Sequence, residues 1–337
     1  MEIRTLTPVH VSSGNKLTRI DFIVRDGKVF VLDTPRLFEA LEWKDVMKLV
    51  DELSYRSLVD IAKEFGIDVV DFRLYYVKLT GSVGNEILEQ IKTEGRSYIP
   101  GSSIKGAIRT AILWHIVKND RSLLNFAIRC LEELTRGKIT HKTLKMADDK
   151  LERRVFGKDP RSDFMRALRV TDSTPFDKLR VYEVKILGSG VRGVCVECID
   201  ENDTAEIDIK IDEFTNIEKF KEHGINDVKD IVEITRDFSL TLIEKELGYD
   251  YSDKTKSILK GIKNSRGMLL RVGWGTGWYS KTIGLLLENH PNFEGLRRRL
   301  GLGRSLRTKR FYDVFPKTRR VTVDGKPLGW ICIDSRV

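Results

Sequence analysis

The sequence predicts an α+β chain of two related halves that divide near residue 185. Strand-like runs open and close the chain and enclose long stretches of helical periodicity. Each half also holds one glycine loop that leads from a strand into a helix carrying a lysine. No short-period repeat competes with this two-fold echo.

Residues 2–11, 19–24 and 28–32 read as strands, the last two joined at Asp26-Gly27, a hairpin-turn pair. Thr34 then Pro35 reads as an N-cap and first helical position. Helical periodicity follows through Leu37, Leu41, Val46, Leu49 and Leu53, and again through Leu58, Ile61 and Phe65. A strand is expected over 69–79 and a short helix over 83–91. Residues 98–111 form a strand–loop–helix junction in which Ser102 or Ser103 caps the helix. Helices continue to about residue 156, with strands at 166–170 and 180–187. Residues 191–199 and 206–211 read as a hairpin, and helices are expected over 213–222, 227–247 and 253–263. An apolar strand then enters a glycine loop and a helix opening Ser280-Lys281-Thr282, and the chain closes on a hairpin of 320–323 and 329–333 about Asp324-Gly325.

At 337 residues the chain is long enough for two ordinary domains, expected at 1–185 and 186–337. No run of about 18 apolar residues exists, which excludes a helical membrane span. Residues 1–7 enter a strand pattern at once rather than a signal peptide, so the expected location is cytoplasmic. Four cysteines do not make a disulfide scaffold at this length. Cys195 and Cys198 form one CxxC inside a β-like run with no second pair near them, so no metal is expected.

Net charge of +9 favours an anionic partner, and the excess is uneven. Between 295 and 320 ten Lys or Arg stand against one acid, Asp313. Lys317, Arg319 and Arg320 belong to this block, which Phe311, Tyr312 and Phe315 interrupt. The glycine loop of the second half places Gly273, Trp274, Gly275, Gly277, Trp278 and Lys281 together. Backbone N–H groups and a lysine beside flat aromatic faces suit a single strand of nucleic acid. The spacing fits neither a dinucleotide fingerprint nor a triphosphate loop, so no nucleotide cofactor is expected. In the first half, Gly101, Ser102 and Ser103 precede Lys105 and Arg109, two cations at i,i+4 near a helix N-terminus, where an anion would offset the macrodipole. The bland alternative at both loops is close packing by glycine, core tryptophans and ordinary surface cations.

These residues resemble a known family. Residues 99–111 look like the signature of the repeat-associated mysterious proteins, the RAMP superfamily of CRISPR systems. With 270–284 they resemble one branch, the fifth Csm subunit of type III-A effector complexes. Residues 7–14, 170–173, 315–320 and 327–330 agree. The resemblance implies two tandem ferredoxin-like (RRM-like) domains with helical insertions. It implies a non-catalytic subunit at the end of the effector filament. That subunit holds the 3′ region of the guide RNA, stacks on the repeating backbone subunit and serves crRNA maturation in antiviral defence by recruiting outside nucleases for 3′ trimming.

Metal-independent RNA cleavage requires a general base and acid near the 2′-OH. Of the five histidines only His10 lies in a loop motif, beside Ser12, Ser13 and Gly14. It is a candidate RNA contact, with a structural histidine as the alternative. Asp33, after the first hairpin, invites comparison with the acidic loop residue of a slicing subunit of the superfamily. It reads more strongly as help in capping the helix at Thr34-Pro35, and Asp172 reads as a strand-end turn residue, so no active site is expected. Two further readings remain open: an endoribonuclease using His10, and an assembly cap that touches only protein partners. No small-molecule substrate is expected.

Overall fold

The computed structural model describes residues 1–41, 52–53, 56–140, 143–144, 147–188, 190, 193–212, 217–305 and 308–334. The positions Val46 and Leu49 of the first helical pattern lie outside them. The chain adopts a mixed α+β architecture. Its strands are β1 (Glu2–Thr5), β2 (Ser12–Thr18), β3 (Phe22–Arg25), β4 (Lys28–Leu32), β5 (Arg73–Thr80), β6 (Glu86–Gln90), β7 (Lys92–Thr93), β8 (Arg96–Ser97), β9 (Leu168–Val170), β10 (Leu179–Ile186), β11 (Val194–Ile199), β12 (Thr204–Glu206), β13 (Ile209–Ile211), β14 (Met268–Arg271), β15 (Arg320–Thr322) and β16 (Trp330–Asp334).

A four-stranded antiparallel sheet runs β12-β1-β16-β14. Residues of both its faces, Ile3 and Ile333 on one and Leu269 and Trp330 on the other, are buried in the core that also holds the helices Gly101–Asn119 and Val228–Leu247. The two helices meet at Trp114 and Phe238, whose ring centroids lie 5.4 Å apart. Ser239 donates to the Leu269 carbonyl at 2.7 Å and ties one helix to β14. The second sheet, in the order β2-β6-β11-β10-β5-β4-β3, is mixed, with β10 parallel to β5 and β11 parallel to β6. β15 adds to the far end of β10. Both sheets draw strands from either side of residue 185: β1 sits between β12 and β16, and β10 and β11 pair with β5 and β6.

Local signals held where they were chemical. Asp26 and Gly27 take φ of 51° and 69°, the double positive φ of a two-residue hairpin turn between β3 and β4. At the first helix Asp33, not Thr34, supplies the cap by accepting from the Arg36 N–H, while Thr34 donates to the Ile20 carbonyl.

Four expectations give way to tertiary pairing. The short helix over 83–91 is strand β6, because Ile87 and Gln90 are fully buried between β2 and β11. The hairpin over 191–211 is three separate strands: β11 lies beside β10, β12 beside β1 and β13 beside β9. The closing hairpin is likewise split, with β15 on one sheet and β16 on the other. Finally, the helix after the second glycine loop is only a 3-10 turn, Tyr279–Lys281, followed by the short helix Gly284–Leu287. Ser280 spends its hydroxyl on the Thr276 and Gly277 carbonyls instead of capping a helix.

Cys195 and Cys198 stand three apart in β11, so the pleat sends them to opposite faces. Cys195 joins the core with Val29 and Val77, Cys198 the one with Tyr182 and Leu328. They cannot converge on one ion.

Candidate nucleic-acid interface

The second glycine loop starts from a buried charge. Arg271, at the end of β14, pairs with Glu246 of the long helix Val228–Leu247, donates from Nε to the Leu328 carbonyl at 2.9 Å, and lies 5.3 Å from the Trp330 ring centroid. The chain then turns through Gly273 at φ 84°. A Cβ there would stand 2.2 Å from the His10 carbonyl oxygen, which accepts from the Trp274 N–H at 2.8 Å. Gly273 therefore serves close backbone approach. We expect Gly273→Ala to cost more than about 2 kcal/mol, combining positive-φ strain with the clash. Gly277→Ala, with φ 89° and open space around its Cβ, carries only the strain. Urea denaturation of the two variants checks the difference.

His10 is fully buried. Its Nδ1 lies 2.6 Å from the Glu197 carbonyl, which only accepts, so Nδ1 carries the proton and Nε2 is bare. Nε2 has no hydrogen-bond partner, and the ring stands edge-on to Trp274 at 6.0 Å. Burial lowers the His10 pKa against the opposing bond to Glu197, and Lys92 lowers it further. His10 thus braces the loop from beneath. Because the folded pKa lies below the ordinary 6.5, the unfolded chain takes the proton first as pH falls. The stability His10 contributes is whole above that value and drains below it by up to about 1.4 kcal/mol per pH unit. Melting curves should show the penalty of His10→Asn shrinking between pH 7.5 and 5.5.

The two tryptophans have different duties. Trp278 packs on Tyr279, Phe293 and Phe315 with centroids 5.1, 5.9 and 4.9 Å away, and Gly284 leaves room for its ring. It is a brace. Trp274 is half-buried and carries the Arg320 guanidinium 4.8 Å from its centroid.

The cations sort by partner. Lys105 donates to the Leu168 carbonyl at 2.7 Å. Arg109 binds Asp163 at 2.8 Å and Glu152 at 2.9 Å and lies 3.7 Å from the Phe156 centroid. Gly101, where a Cβ would meet the Thr171 and Val170 carbonyls at 2.5 Å, gives its N–H to the Asp172 carboxylate at 2.8 Å. That bond takes the place of a serine cap: Ser102 is exposed and Ser103 half-buried in the helix's first turn, and neither side chain caps it. The first glycine loop is thus satisfied internally.

The second is not. Among the described residues no carboxylate pairs with Lys281, Lys317, Arg319 or Arg320. Three of the four face aromatic rings: Arg319 lies 4.3 Å from the Tyr249 centroid, Lys317 5.3 Å from Tyr312, and Arg320 over Trp274. Arg319 Nε is buried with no partner. Gly275, Gly277, Arg319 and Arg320 line one small cleft. Desolvation, then repulsion from Arg271 and Arg320, pushes the exposed Lys281 ammonium below the ordinary lysine value, and desolvation lowers Arg320. Crowded cations of this kind favour an incoming anion. Lys281 also meets Arg109 across an apolar cavity of about 460 Å³ walled by Leu113, Leu151 and Leu287. Of the basic block, Arg307 lies outside the described residues. Sequence reasoning missed Tyr249, which lies in no motif, and the role of Arg271, which lies in the 270–284 stretch but acts only through the fold.

A family model of the RAMP superfamily matches residues 2–280. The chain is 24% identical to the CRISPR system Cms protein Csm5 of Methanocaldococcus jannaschii, across 98% of this chain and 88% of that one. It is 28% identical over 205 residues to the protein of the same name from Streptococcus thermophilus, 55% of this chain and 54% of that one. Among solved structures it is similar to a chain in a cryo-EM structure of a Csm–crRNA–target RNA ternary complex of a type III-A CRISPR-Cas system. The TM-score is 0.83 at 30% identity, with 99% of both chains covered. It is also similar to crystalline T. onnurineus Csm5, with a TM-score of 0.76 at 27% identity, covering 98% of this chain and all of that one.

Proposed function

The chain belongs to the RAMP superfamily, and from that premise we propose that it is the RNA-holding fifth subunit of a type III-A Csm effector complex. It caps the filament at the 3′ region of the guide RNA, stacks on the repeating backbone subunit and supports crRNA maturation by positioning the RNA for outside nucleases. The observation that carries this reading is the set Lys281, Arg319 and Arg320 at the glycine–tryptophan loop, with Lys317 just before the two arginines in the chain, none of them neutralised by a carboxylate among the described residues. Phosphates supply the missing counter-charge, and Trp274 offers a flat face beside them. The similarity to a chain of a Csm–crRNA–target RNA complex supports the same partner.

The protein holds RNA without cutting it. A catalytic histidine must reach the 2′-OH, and His10 has no exposed surface and a ring kept neutral by burial. The test is incubation of labelled repeat RNA with the purified chain in EDTA. Salt-sensitive binding with intact RNA is expected. Cleavage that disappears in His10→Ala would overturn the reading in favour of an endoribonuclease. If crosslinks in a reconstituted complex join residues 273–281 only to protein, the chain is an assembly cap.

A further inference from the structure

An open cleft of about 860 Å³ lies between the helix Phe293–Arg299 and residues 310–315, within the size range of sites for one small ligand. Nothing in the glycine loop's own role requires it. Its floor continues the loop's aromatic cluster, because Trp278 stacks on Phe293 and meets Phe315 edge-on. Its far wall presents Phe311 and the exposed Tyr312, whose N–H is fixed to the Gly303 carbonyl at 3.0 Å.

Two of the cleft's carboxylates are already consumed. Both Glu294 oxygens accept from Arg297 and Arg298, which hold its pKa down to about 2. Glu288 divides its oxygens between the Lys245 ammonium and the Tyr279 hydroxyl. Arg310 is exposed with no carboxylate partner among the described residues, and Asp313 is exposed beside it in the chain. The cleft therefore offers the exposed Tyr312 ring, which the Lys317 ammonium approaches to 5.3 Å from its centroid, an uncommitted guanidinium and one acceptor carboxylate.

We propose that this cleft holds a single unpaired nucleotide of the bound RNA, its base against Tyr312 and its phosphate on Arg310. Asp313 lines the same cleft and supplies a carboxylate able to accept from base-edge N–H groups. A phosphate alone would leave the aromatic wall unused. A flat base with a charged tail matches all three features. The inference rests on the RNA-holding reading above and adds a second, base-contacting site to the phosphate contacts around Lys281.

The test is fluorescence anisotropy of the full chain with a fluorescein-labelled single-stranded oligouridine, using Tyr312→Ala, Tyr312→Phe and Arg310→Gln. Stacking on one base is worth roughly a 5- to 100-fold change in affinity on truncation to alanine. Tyr312→Ala and Arg310→Gln should each weaken binding within that range, while Tyr312→Phe stays within about twofold of wild type, because stacking needs the ring and not the hydroxyl. Both sites are at the surface, and a melting curve for each of the three variants verifies the fold. Ultraviolet crosslinking should place a uridine adduct on Phe311 or Tyr312. Wild-type affinity in Tyr312→Ala and Arg310→Gln, with binding still weakened by Lys281→Ala, would overturn the cleft assignment and leave the RNA reading intact. Loss of co-assembly with other complex subunits at unchanged RNA affinity would assign the cleft to a protein and also overturn it. If the wild type binds no RNA, the underlying reading fails and the inference falls with it.

Discussion

Glu246→Ala is expected to destabilise the protein by about 3–5 kcal/mol, the range for removing one partner of a buried ion pair. The side chains of Glu246 and Arg271 are only 7% and 3% exposed. Without the carboxylate, Arg271 keeps its bond to the Leu328 carbonyl and its place beside Trp330, but its charge has no counter-ion and no route to water. The damage is directed, because Arg271 ends β14 where the chain enters the glycine loop. Loosening it withdraws the support from Val272, bound to the Gly329 carbonyl, and from Gly273, which packs on the His10 carbonyl that holds the Trp274 N–H. The pair costs desolvation to bury, so replacing both partners by apolar residues of similar volume, Arg271→Met with Glu246→Leu, should recover most of the loss. Chemical denaturation of the single and double variants measures this. A double variant as unstable as Glu246→Ala would show that packing, rather than the orphaned charge, sets the cost.

Much of this architecture was legible because it is written in local chemistry. Asp26-Gly27 can make few things other than a two-residue turn, and the helices at 228–247 and 253–263 carry caps in Asp227 and Ser252 beside clean apolar periodicity. What escaped was decided by partners far away in sequence. Residues 86–90 have no intrinsic strand signal and become β6 only because β2 and β11 flank them. The two apparent hairpins failed for the same reason: adjacent strands were claimed by different sheets, and β1 inserted between β12 and β16 across some 200 and 330 residues of chain.

The site divides along the same line. Sequence spacing identified both glycine loops, and their resemblance to a RAMP signature agrees with the family match. It could not tell a spoken-for cation from a free one. Lys105 and Arg109 look as available as Lys281 in the sequence, yet a carbonyl of β9 and the carboxylates of Glu152 and Asp163 engage them. His10 looked like a loop histidine and is a buried brace. Tyr249, which faces Arg319, sits in no motif.

The largest functional effect is expected from removing the uncommitted charge. Combining Lys281→Gln, Arg319→Gln and Arg320→Gln should weaken single-stranded RNA binding on the order of 100-fold or more at low salt, since each lost charge-assisted bond to phosphate is worth about 1.5 kcal/mol or more. Fold stability should change little, because among the described residues none of the three is paired to a carboxylate that would be left buried. Lys105→Gln, by contrast, should leave affinity nearly unchanged and reduce stability, its Leu168 carbonyl losing a donor.

The measurement that bears most directly on the account is the salt dependence of RNA affinity for the wild type and this triple variant, from about 50 to 200 mM. Each phosphate neutralised contributes about 0.7 to the slope of log affinity against log salt for a single strand, so the variant's slope should be shallower by about 2. An unchanged slope would mean that RNA phosphates do not sit on Lys281, Arg319 and Arg320, and the loop's role in holding RNA would be contradicted.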